Sequence, residues 1–187
     1  QYIHIGGDEA PKYRWENCNK CQQRIKTEKL KDEHELQSYF IGRIEKFLNK
    51  KGKKIIGWDE IIEGGIPNNA TVQSWRGMDG GILAAQNQHE AIMSPTSHCY
   101  FDYDLETINL EKVYSFEPIP EGLNENEQKY IIGGECNMWS ERAPQEKIDS
   151  KVFPRILAMS EVLWSSKEKN YDEFLTRVES HYPKLEA

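Results

Sequence analysis

The stretch YIHIGGDE, residues 2–9, joins an alternating apolar run to two glycines and two adjacent carboxylates. The alternation predicts a β-strand that ends at the glycines. Neighbouring side chains on a regular strand face opposite sides of the sheet, so one ligand can meet both Asp8 and Glu9 only where the backbone turns. Gly6 and Gly7 permit such a turn. The stretch therefore predicts a strand whose carboxyl end presents a carboxylate pair for chemistry, with a solvated acidic loop as the alternative.

Strands and helices alternate along the rest of the chain. Further strands are predicted within KKIIGWDE (53–60), ATVQSWRG (70–77), HEAIMSP (89–95) and YIIGGECNMWSE (130–141). Helices are predicted over residues 33–50, 145–164 and 171–181, a short helix or turn over residues 78–88, and irregular chain over residues 8–31 and 96–129. Such alternation favours a parallel sheet, either doubly wound or a barrel. Five strands are too few for a closed (β/α)8 barrel, so the predicted fold class is α/β, a partial (β/α)8 barrel.

The helix predicted over residues 33–50 carries a clear apolar pattern. The apolar side chains that recur at helical spacing are Leu36, Phe40, Ile44, Phe47 and Leu48. Asp32 stands where an N-cap residue is expected. The pattern predicts a helix whose apolar face packs on the core.

Length and charge exclude several classes of protein. The chain has 187 residues, with 24 lysines and arginines against 31 aspartates and glutamates, and its net charge is −7. This length suits one domain of ordinary size. No nucleic-acid partner is predicted, because no basic stripe offsets the negative charge. No membrane segment is predicted either, because no apolar run approaches the roughly 18 residues that a spanning helix needs.

Two of the four cysteines, Cys18 and Cys21, form a CxxC pair in a predicted loop. The spacing is that of a zinc knuckle, but a structural zinc site usually needs a second pair of ligands. A disulfide that staples the loop, or two free thiols, is therefore favoured over a metal site. A redox role of the thioredoxin type is disfavoured because the predicted context is not strand–CxxC–helix.

Aromatic and charged side chains gather where the predicted strands end. After the first carboxylate pair come Trp58-Asp59-Glu60, Trp75-Arg76, Tyr100-Phe101-Asp102 and Trp139-Ser140-Glu141. In parallel α/β folds the carboxyl ends of the strands form the edge where ligands bind. Indole faces beside carboxylates suit a sugar, whose C–H face stacks on an aromatic ring and whose hydroxyls donate to carboxylates. Any one tryptophan is equally well explained as a core residue, but three in succession favour a carbohydrate site.

These segments resemble glycoside hydrolase family 20, the β-N-acetylhexosaminidases. The likeness is carried by His4-Ile5-Gly6-Gly7-Asp8-Glu9, Trp58, the Trp75 strand, Tyr100-Phe101-Asp102, Gly133-Gly134-Glu135 and Trp139-Ser140-Glu141. It implies hydrolysis of terminal, non-reducing β-linked N-acetylglucosamine or N-acetylgalactosamine in glycans. The reaction retains configuration, with the 2-acetamido oxygen of the substrate as the nucleophile. No metal or organic cofactor is implied, because the substrate supplies the nucleophile.

By this resemblance, catalysis falls to Glu9, Asp8 and Tyr100. Glu9 would protonate the leaving oxygen and then activate water, while Asp8 would accept the acetamido N–H and Tyr100 would donate to the acetamido oxygen. The implied substrate-binding residues are Trp58 and Trp75 as walls of the acetamido pocket, Trp139 as the platform beneath the ring, and Asp102 and Glu141 as acceptors of ring hydroxyls. His4 would support the pair from behind.

The resemblance also implies that residues 1–187 are the C-terminal part of a catalytic barrel, roughly its strands four to eight. The chain opens on the strand that carries the carboxylate pair, so the first three strands are expected to lie outside it. Open sheet edges then predict self-association, or pairing with the missing N-terminal half of the barrel. Low or absent turnover is expected of this chain alone, and a periplasmic or secreted location follows from the family.

Two alternatives from other classes remain. A catalytically inert sugar-binding fragment would keep the aromatic rim, but it would have little reason to keep Asp8, Glu9 and Tyr100 as a set. A zinc-binding interaction fragment would be built on Cys18 and Cys21. The enzyme is the favoured interpretation.

Overall fold

A five-stranded sheet organises the chain in the computed structural model, which describes residues 1–165 and 168–185. The strands are β1 (Tyr2–His4), β2 (Lys54–Trp58), β3 (Ala70–Ser74), β4 (Ala91–Met93) and β5 (Ile131–Gly134). The sheet order is β1-β2-β3-β4-β5, and the first four strands pair in parallel. Sequence neighbours are therefore sheet neighbours, which is the order of a (β/α) barrel rather than of a doubly wound sheet.

Helices connect and follow the strands. They are α1 (Tyr13–Glu16), α2 (Asn19–Glu28), α3 (Glu33–Asn49), α4 (Asp79–Gln86), α5 (Thr96–Cys99), α6 (Leu110–Tyr114), α7 (Glu125–Gln128), α8 (Ile148–Val152), α9 (Arg155–Trp164), α10 (Tyr171–Glu179) and α11 (Tyr182–Leu185). Short 3₁₀ helices cover Asp59–Ile62 and Gln145–Lys147. Over the described ranges, none of these helices has the length and apolar character required to cross a membrane.

The chain divides into two compact units. Unit 1 comprises residues 1–93 and 119–132, and unit 2 comprises residues 94–118 and 133–187. The core of unit 1 is formed by side chains with no exposed surface, among them Ile55, Ile61, Val72, Ala84 and Ala91. The core of unit 2 includes Phe101, Val113, Phe116, Ala158 and Phe174. In unit 2 the Tyr114 and Phe174 rings stack with centroids 4.5 Å apart.

The helix α3 begins where the sequence predicts, but its buried face differs. The Asp32 carboxylate accepts a hydrogen bond from the Glu35 backbone N–H at 3.0 Å, which confirms the cap. The buried side chains, each four residues apart, are Gln37, Ile41 and Glu45. Phe40 and Phe47 are 61% and 59% exposed, so the predicted packing of the apolar face is wrong. The helical period is correct and the phase is displaced by one residue.

The prediction of irregular chain over residues 8–31 is wrong, because α1 and α2 lie there. Neither helix has a buried residue. Such polar helices lack the apolar stripe by which a sequence pattern reveals a helix. α2 ends at Glu28, the following Lys29 caps it with a left-handed φ of 57°, and the helix begins immediately after Cys18. The CxxC pair is therefore on a helix start rather than in a loop.

Other predicted elements are shorter or interrupted. β1 ends at His4, although the ladder continues where the Trp58 N–H donates to the Gly6 carbonyl at 2.9 Å. β5 ends at Gly134, well before the predicted residue 141. The segment 96–129, predicted to be irregular, contains α5, α6 and α7. The single helix predicted over residues 145–164 is instead a 3₁₀ turn followed by α8 and α9. These two helices are separated at Pro154, because proline interrupts a helix. The short helix or turn predicted over residues 78–88 is the helix α4, and the helix predicted over residues 171–181 is confirmed as α10.

Candidate functional site

The carboxylate pair lies just beyond β1, on a backbone that bends sharply. Gly6 and Gly7 have φ values of 68° and 99°, and Glu9 has a φ of 44°. A left-handed conformation is uncommon for a residue with a side chain and is found where the surroundings enforce it. The turn predicted from the two glycines is confirmed. Asp8 and Glu9 are both exposed at this turn.

The bend is packed against the end of β2 with no spare volume. A Cβ atom added to Gly7 would come within 2.6 Å of the Ile61 Cγ2 methyl, and one added to Gly57 would come within 2.8 Å of the same methyl. Ile61 is fully buried. The Ile61 side chain therefore fills the space that both glycines leave, and it fixes the approach of the two strand ends.

Glu60 links the acid-bearing turn to the end of β3. Its carboxylate accepts the Trp75 indole N–H at 2.9 Å and lies 3.4 Å from the backbone nitrogen of Glu9, which donates to it. Glu60 is 9% exposed. One buried carboxylate thus ties together the turn at Glu9 and the ring of Trp75.

Asp59 holds the backbone that follows β3. It accepts the backbone N–H groups of Trp75 and Arg76 at 3.1 and 3.3 Å, and the Arg76 Nε at 2.5 Å. Burial raises the pKa of Asp59, and its contacts with Arg76 oppose that rise. Arg76 also donates to Glu63 at 2.8 Å. Burial favours a higher pKa for Glu63, but the hydrogen bonds from Arg76 and His34 outweigh it, so the pKa of Glu63 is lowered.

Three rings form a connected series beside these carboxylates. The rings of His4 and Trp58 meet edge to face with centroids 5.0 Å apart. The rings of Trp58 and Trp75 also meet edge to face, with centroids 6.5 Å apart. Trp58 is buried and Trp75 is half-buried. Unit 1 therefore brings together Glu9, Trp58 and Trp75, through Glu60 and through these ring contacts.

Tyr100 and Asp102 belong to unit 2 and are buried there. Tyr100 is 7% exposed and Asp102 is 3% exposed. Tyr100 bridges in parallel to Asn137, and the Phe101 N–H donates to the Asn137 carbonyl at 2.8 Å. The helix α5 separates Tyr100 from β4, so Tyr100 does not continue that strand as the sequence suggests.

Two buried polar atoms of unit 2 have no hydrogen-bond partner in the part of the chain that the structure describes. They are Oδ1 of Asp102 and Nδ2 of Asn137. A buried carboxylate oxygen or amide nitrogen without a partner is costly, and such groups are uncommon in folded proteins. Asp102 and Asn137 therefore each have an unused hydrogen-bonding atom in the described interior of unit 2.

Two buried cations hold the same segment of unit 2 from behind. Lys151 donates to the Asp102 carbonyl at 2.6 Å. Arg155, which is 1% exposed, donates to the Ile108 carbonyl at 2.8 Å and also to the Phe101 carbonyl. Burial lowers the pKa of Arg155, and the nearby Asp102 charge opposes that effect. The backbone around Asp102 is thereby fixed through its carbonyl groups.

Trp139 and Glu141 lie beyond β5 in unit 2, and both are exposed. Trp139 is 41% exposed. The predicted site residues are thus divided equally: Asp8, Glu9, Trp58 and Trp75 are in unit 1, and Tyr100, Asp102, Trp139 and Glu141 are in unit 2.

Sequence reasoning missed the residues that hold the site. The sequence places Asp59 and Glu60 at a strand end, but it does not predict their hydrogen bonds to Trp75 and Glu9. The available signal was a second acidic pair in GWDE, parallel to the first in GGDE. For Lys151 and Arg155 the sequence holds no comparable signal, because their carbonyl partners are about fifty residues away.

Comparison with known proteins gives a consistent result. Residues 1–167 match the family described as "Glycosyl hydrolase family 20, catalytic domain". A beta-hexosaminidase of Porphyromonas gingivalis is 44% identical over 199 residues, which cover 99% of this chain and 26% of that protein.

Solved structures are similar over nearly the whole chain. The crystal structure of beta-N-acetylhexosaminidase from Bacteroides fragilis has a TM-score of 0.86 at 31% identity, covering 99% of this chain and 40% of that one. The exo beta-N-acetylglucosaminidase from Vibrio harveyi, in complex with N-acetylglucosamine, has a TM-score of 0.86 at 28% identity, covering 99% and 32%. The chain therefore spans well under half the length of these relatives. Together with the sequential parallel sheet, the similarity confirms the predicted α/β fold, part of a (β/α)8 barrel.

Proposed function

The chain belongs to glycosyl hydrolase family 20, and on that premise we propose that it is part of a β-N-acetylhexosaminidase. The reaction is hydrolysis of terminal, non-reducing β-linked N-acetylglucosamine or N-acetylgalactosamine in glycans. The observation that carries the proposal is the bent end of β1, where Gly6, Gly7 and a left-handed Glu9 leave both carboxylates of the pair exposed. Relatives named beta-hexosaminidase support it.

The proposed mechanism is retaining and substrate-assisted, as in other exceptions to the two-carboxylate scheme. Glu9 donates a proton to the leaving glycosidic oxygen while the 2-acetamido oxygen of the substrate attacks C1. Asp8 accepts the acetamido N–H, which orients that group and stabilises the positive charge that develops on it. Glu9 then removes a proton from the water that opens the cyclic intermediate.

The remaining predicted residues have proposed roles in binding. Trp58 and Trp75 line the acetamido pocket, and Trp139 offers an exposed indole face to the sugar ring. Tyr100 donates to the acetamido oxygen. Glu141 and Asp102 accept ring hydroxyls. For Asp102 the support is the buried Oδ1 without a partner, because a sugar hydroxyl supplies the donor that this oxygen lacks.

The test is an assay of the chain beside its Glu9→Gln variant, with p-nitrophenyl β-N-acetylglucosaminide as the substrate. We expect weak turnover of the chain and a loss of about 10²-fold or more in the variant, because an amide cannot transfer the proton. Glu16→Gln, a change at an exposed residue of α1, is the matched control and should leave turnover unchanged. Equal turnover in all three chains would remove Glu9 from the mechanism.

A measurement of sugar binding, beside the turnover assay, distinguishes the enzyme hypothesis from that of a catalytically inert sugar-binding fragment. Titration with N-acetylglucosamine, followed by tryptophan fluorescence, should give the same response in the chain and in Glu9→Gln. Binding in both without turnover in either is the outcome expected of the sugar-binding fragment, or of a chain that lacks part of the catalytic site. Turnover that disappears only in the variant supports the enzyme.

We further propose that the chain self-associates, or pairs with the rest of a longer barrel, through one apolar surface of unit 1. This edge surface consists of Ile3 on β1 and Phe40 and Phe47 on α3, which are 39%, 61% and 59% exposed. Apolar patches of this kind on a sheet edge are typical association sites. A periplasmic or secreted location stays a prediction from the family.

Light scattering tests the association. Phe40→Glu combined with Phe47→Glu should reduce the mass of the chain in solution toward that of the monomer, because the charges would have to be buried. Leu105→Glu, at a residue of unit 2 that is 49% exposed, is the control and should have no effect. A monodisperse monomer of the unmodified chain would contradict self-association.

A further inference from the structure

Cys18 and Cys21 lie together at the start of α2. The Cys18 N–H donates to the Trp15 carbonyl at 3.2 Å, and its own carbonyl accepts from the Gln22 N–H at 2.9 Å. Cys21 follows three residues later, so the two side chains share one face of the first helical turn. Both are free thiols and both are half-buried. Their backbone is held on both sides while their sulfurs remain accessible to a small molecule.

The surroundings shift the pKa values of the two thiols in opposite directions. The pKa of Cys18 is lowered, first by the backbone N–H of Cys21, then by the Cys21 thiol, with a smaller contribution from Lys20. The pKa of Cys21 is raised, first by its hydrogen bond to Cys18, then by burial, with Glu33 on the adjacent helix adding to the rise. Cys18 is thus the more readily ionised sulfur of the pair and Cys21 holds its proton more firmly, which is the order in which an attacking and a resolving thiol act in thiol–disulfide exchange.

The other two cysteines provide a contrast within the same chain. Cys99 has no exposed surface, and burial raises its pKa. Burial also raises the pKa of Cys136. A raised pKa disfavours the thiolate at both positions, and at Cys99 complete burial also blocks access, so neither cysteine is expected to react readily with a disulfide.

A metal site is the competing use of a CxxC pair. Within residues 1–165 and 168–185, no three histidine, cysteine, aspartate or glutamate side chains are grouped so that they could hold a metal ion. Structural zinc takes four protein ligands. The pair is therefore better suited to chemistry between its own two sulfurs.

We propose that Cys18 and Cys21 are a redox-active dithiol that forms a reversible disulfide by exchange with a low-molecular-weight disulfide such as glutathione disulfide. The Cys18 thiolate attacks one sulfur of glutathione disulfide, the S–S bond breaks, and one glutathione leaves as a thiolate that takes up a proton. Cys21 then loses its proton and attacks the Cys18 sulfur, which expels the second glutathione. Two protein thiols are oxidised, and one glutathione disulfide is reduced to two thiols.

The sequence supplies a direct assay, because Lys20 lies between the two cysteines. The folded chain is incubated with glutathione disulfide, quenched with acid, alkylated and digested with trypsin, which cleaves after Lys20. We expect the peptides on either side of that cleavage to remain joined, with a mass lower by two hydrogens than the sum of the reduced peptides. Cys99 and Cys136 serve as internal controls and should be recovered in the alkylated form.

Single variants assign the roles of the two sulfurs. Cys21→Ser should accumulate a stable glutathione adduct on Cys18, because the second attack is lost. Cys18→Ser should form an adduct on Cys21 more slowly, because burial and Glu33 still raise the pKa of Cys21, whereas the backbone N–H of residue 21 still lowers the pKa of Cys18 in Cys21→Ser. In urea the two variants should react at similar rates, because unfolding removes both the burial of Cys21 and the backbone N–H held beside Cys18.

Two results would overturn the proposal. One is recovery of both cysteines as thiols after incubation with excess glutathione disulfide. The other is equal rates of adduct formation in the two folded variants. Neither measurement uses a glycan, so failure here is independent of the proposed hydrolase activity.

Discussion

The two units hold their site-bearing segments with buried charges of opposite sign. In unit 1 the buried acids Asp59 and Glu60 accept N–H groups from the Trp75 segment and from Glu9. In unit 2 the buried cations Lys151 and Arg155 donate to the carbonyls of the segment around Asp102. The sign of the buried charge follows from which backbone groups the segment presents, since buried N–H groups need acceptors and buried carbonyls need donors.

The difference has a consequence for stability. Hydrogen bonds to an ionised partner are shorter and stronger than neutral ones. Arg155 is 1% exposed and serves several carbonyls at once, whereas Glu60 is 9% exposed and meets two N–H donors. We therefore expect the cationic support of unit 2 to contribute more to folding than the acidic support of unit 1.

Arg155→Met is the strongest test of this comparison. It leaves the buried carbonyls of Phe101 and Ile108 without their donor, and each unsatisfied group costs about 1–3 kcal/mol. We expect the free energy of unfolding in urea to fall by about 3 kcal/mol or more. Arg155→Lys should recover only part of this loss, because an ammonium group lacks the planar fork of the guanidinium.

Arg177→Met is the matched control. Arg177 is also an arginine of unit 2, but its side chain is 43% exposed and pairs with Glu161 near the surface. Pairs of this kind contribute roughly 0.2–1 kcal/mol. Equal losses of unfolding free energy in Arg155→Met and Arg177→Met would mean that the buried hydrogen bonds to carbonyl groups contribute no more than a surface ion pair.

Glu60→Gln is the corresponding test in unit 1, with a smaller expected effect. The glutamine amide keeps one acceptor oxygen, but its NH₂ group cannot accept a hydrogen bond from the second N–H donor. We expect a loss of about 1–2 kcal/mol in urea unfolding, together with lower turnover, because the turn at Glu9 loses its link to Trp75. Unchanged stability and turnover would show that the 3.4 Å contact with Glu9 has no role.

Glu63→Gln serves as the control for Glu60→Gln and also tests how stability depends on pH. Glu63 is 30% exposed and pairs with Arg76, so near neutral pH the change should cost under about 1 kcal/mol. Because the pKa of Glu63 is lowered by folding, its contribution is present above 4.5, its ordinary value, and is lost as the pH falls through the lower value in the folded chain. The stability gap between the chain and the variant should therefore narrow below pH 4.5 in urea titrations. A gap that widens there would contradict the lowered pKa.

The sequence predicts the order of strands and helices along the chain better than it predicts which side chains are buried. The strands and the turn after β1 could be predicted because alternating apolar runs and paired glycines are local signals, whereas the choice of a partial barrel over a doubly wound sheet rests on the number of strands and on the family resemblance. The buried face of α3 could not, because Gln37 and Glu45 are buried for their hydrogen bonds to the Gly7 carbonyl and the Asn69 N–H. Those partners are distant in sequence, so no helical periodicity reveals them.

The same reason limits prediction of the candidate site. Asp8, Glu9 and the tryptophans could be recognised as residue types placed at strand ends. The helix that begins after Cys18 escaped recognition because α2 has no buried residue and therefore no apolar stripe. The supporting roles of Glu60 and Arg155 depend on contacts between distant segments, which only the folded chain displays.

The single methyl of Ile61 that occupies the space beside both Gly7 and Gly57 has a consequence for engineering and for divergence of the sequence. A side chain at Gly57 requires a smaller residue at position 61, whereas the φ of 99° at Gly7 disfavours a side chain there even where the space is free. A library randomised at Gly57 alone should return mostly glycine, whereas one that also varies position 61 relieves the two shortest contacts of an added Cβ. Homologous sequences should accordingly keep Gly7 and exchange Gly57 and Ile61 together.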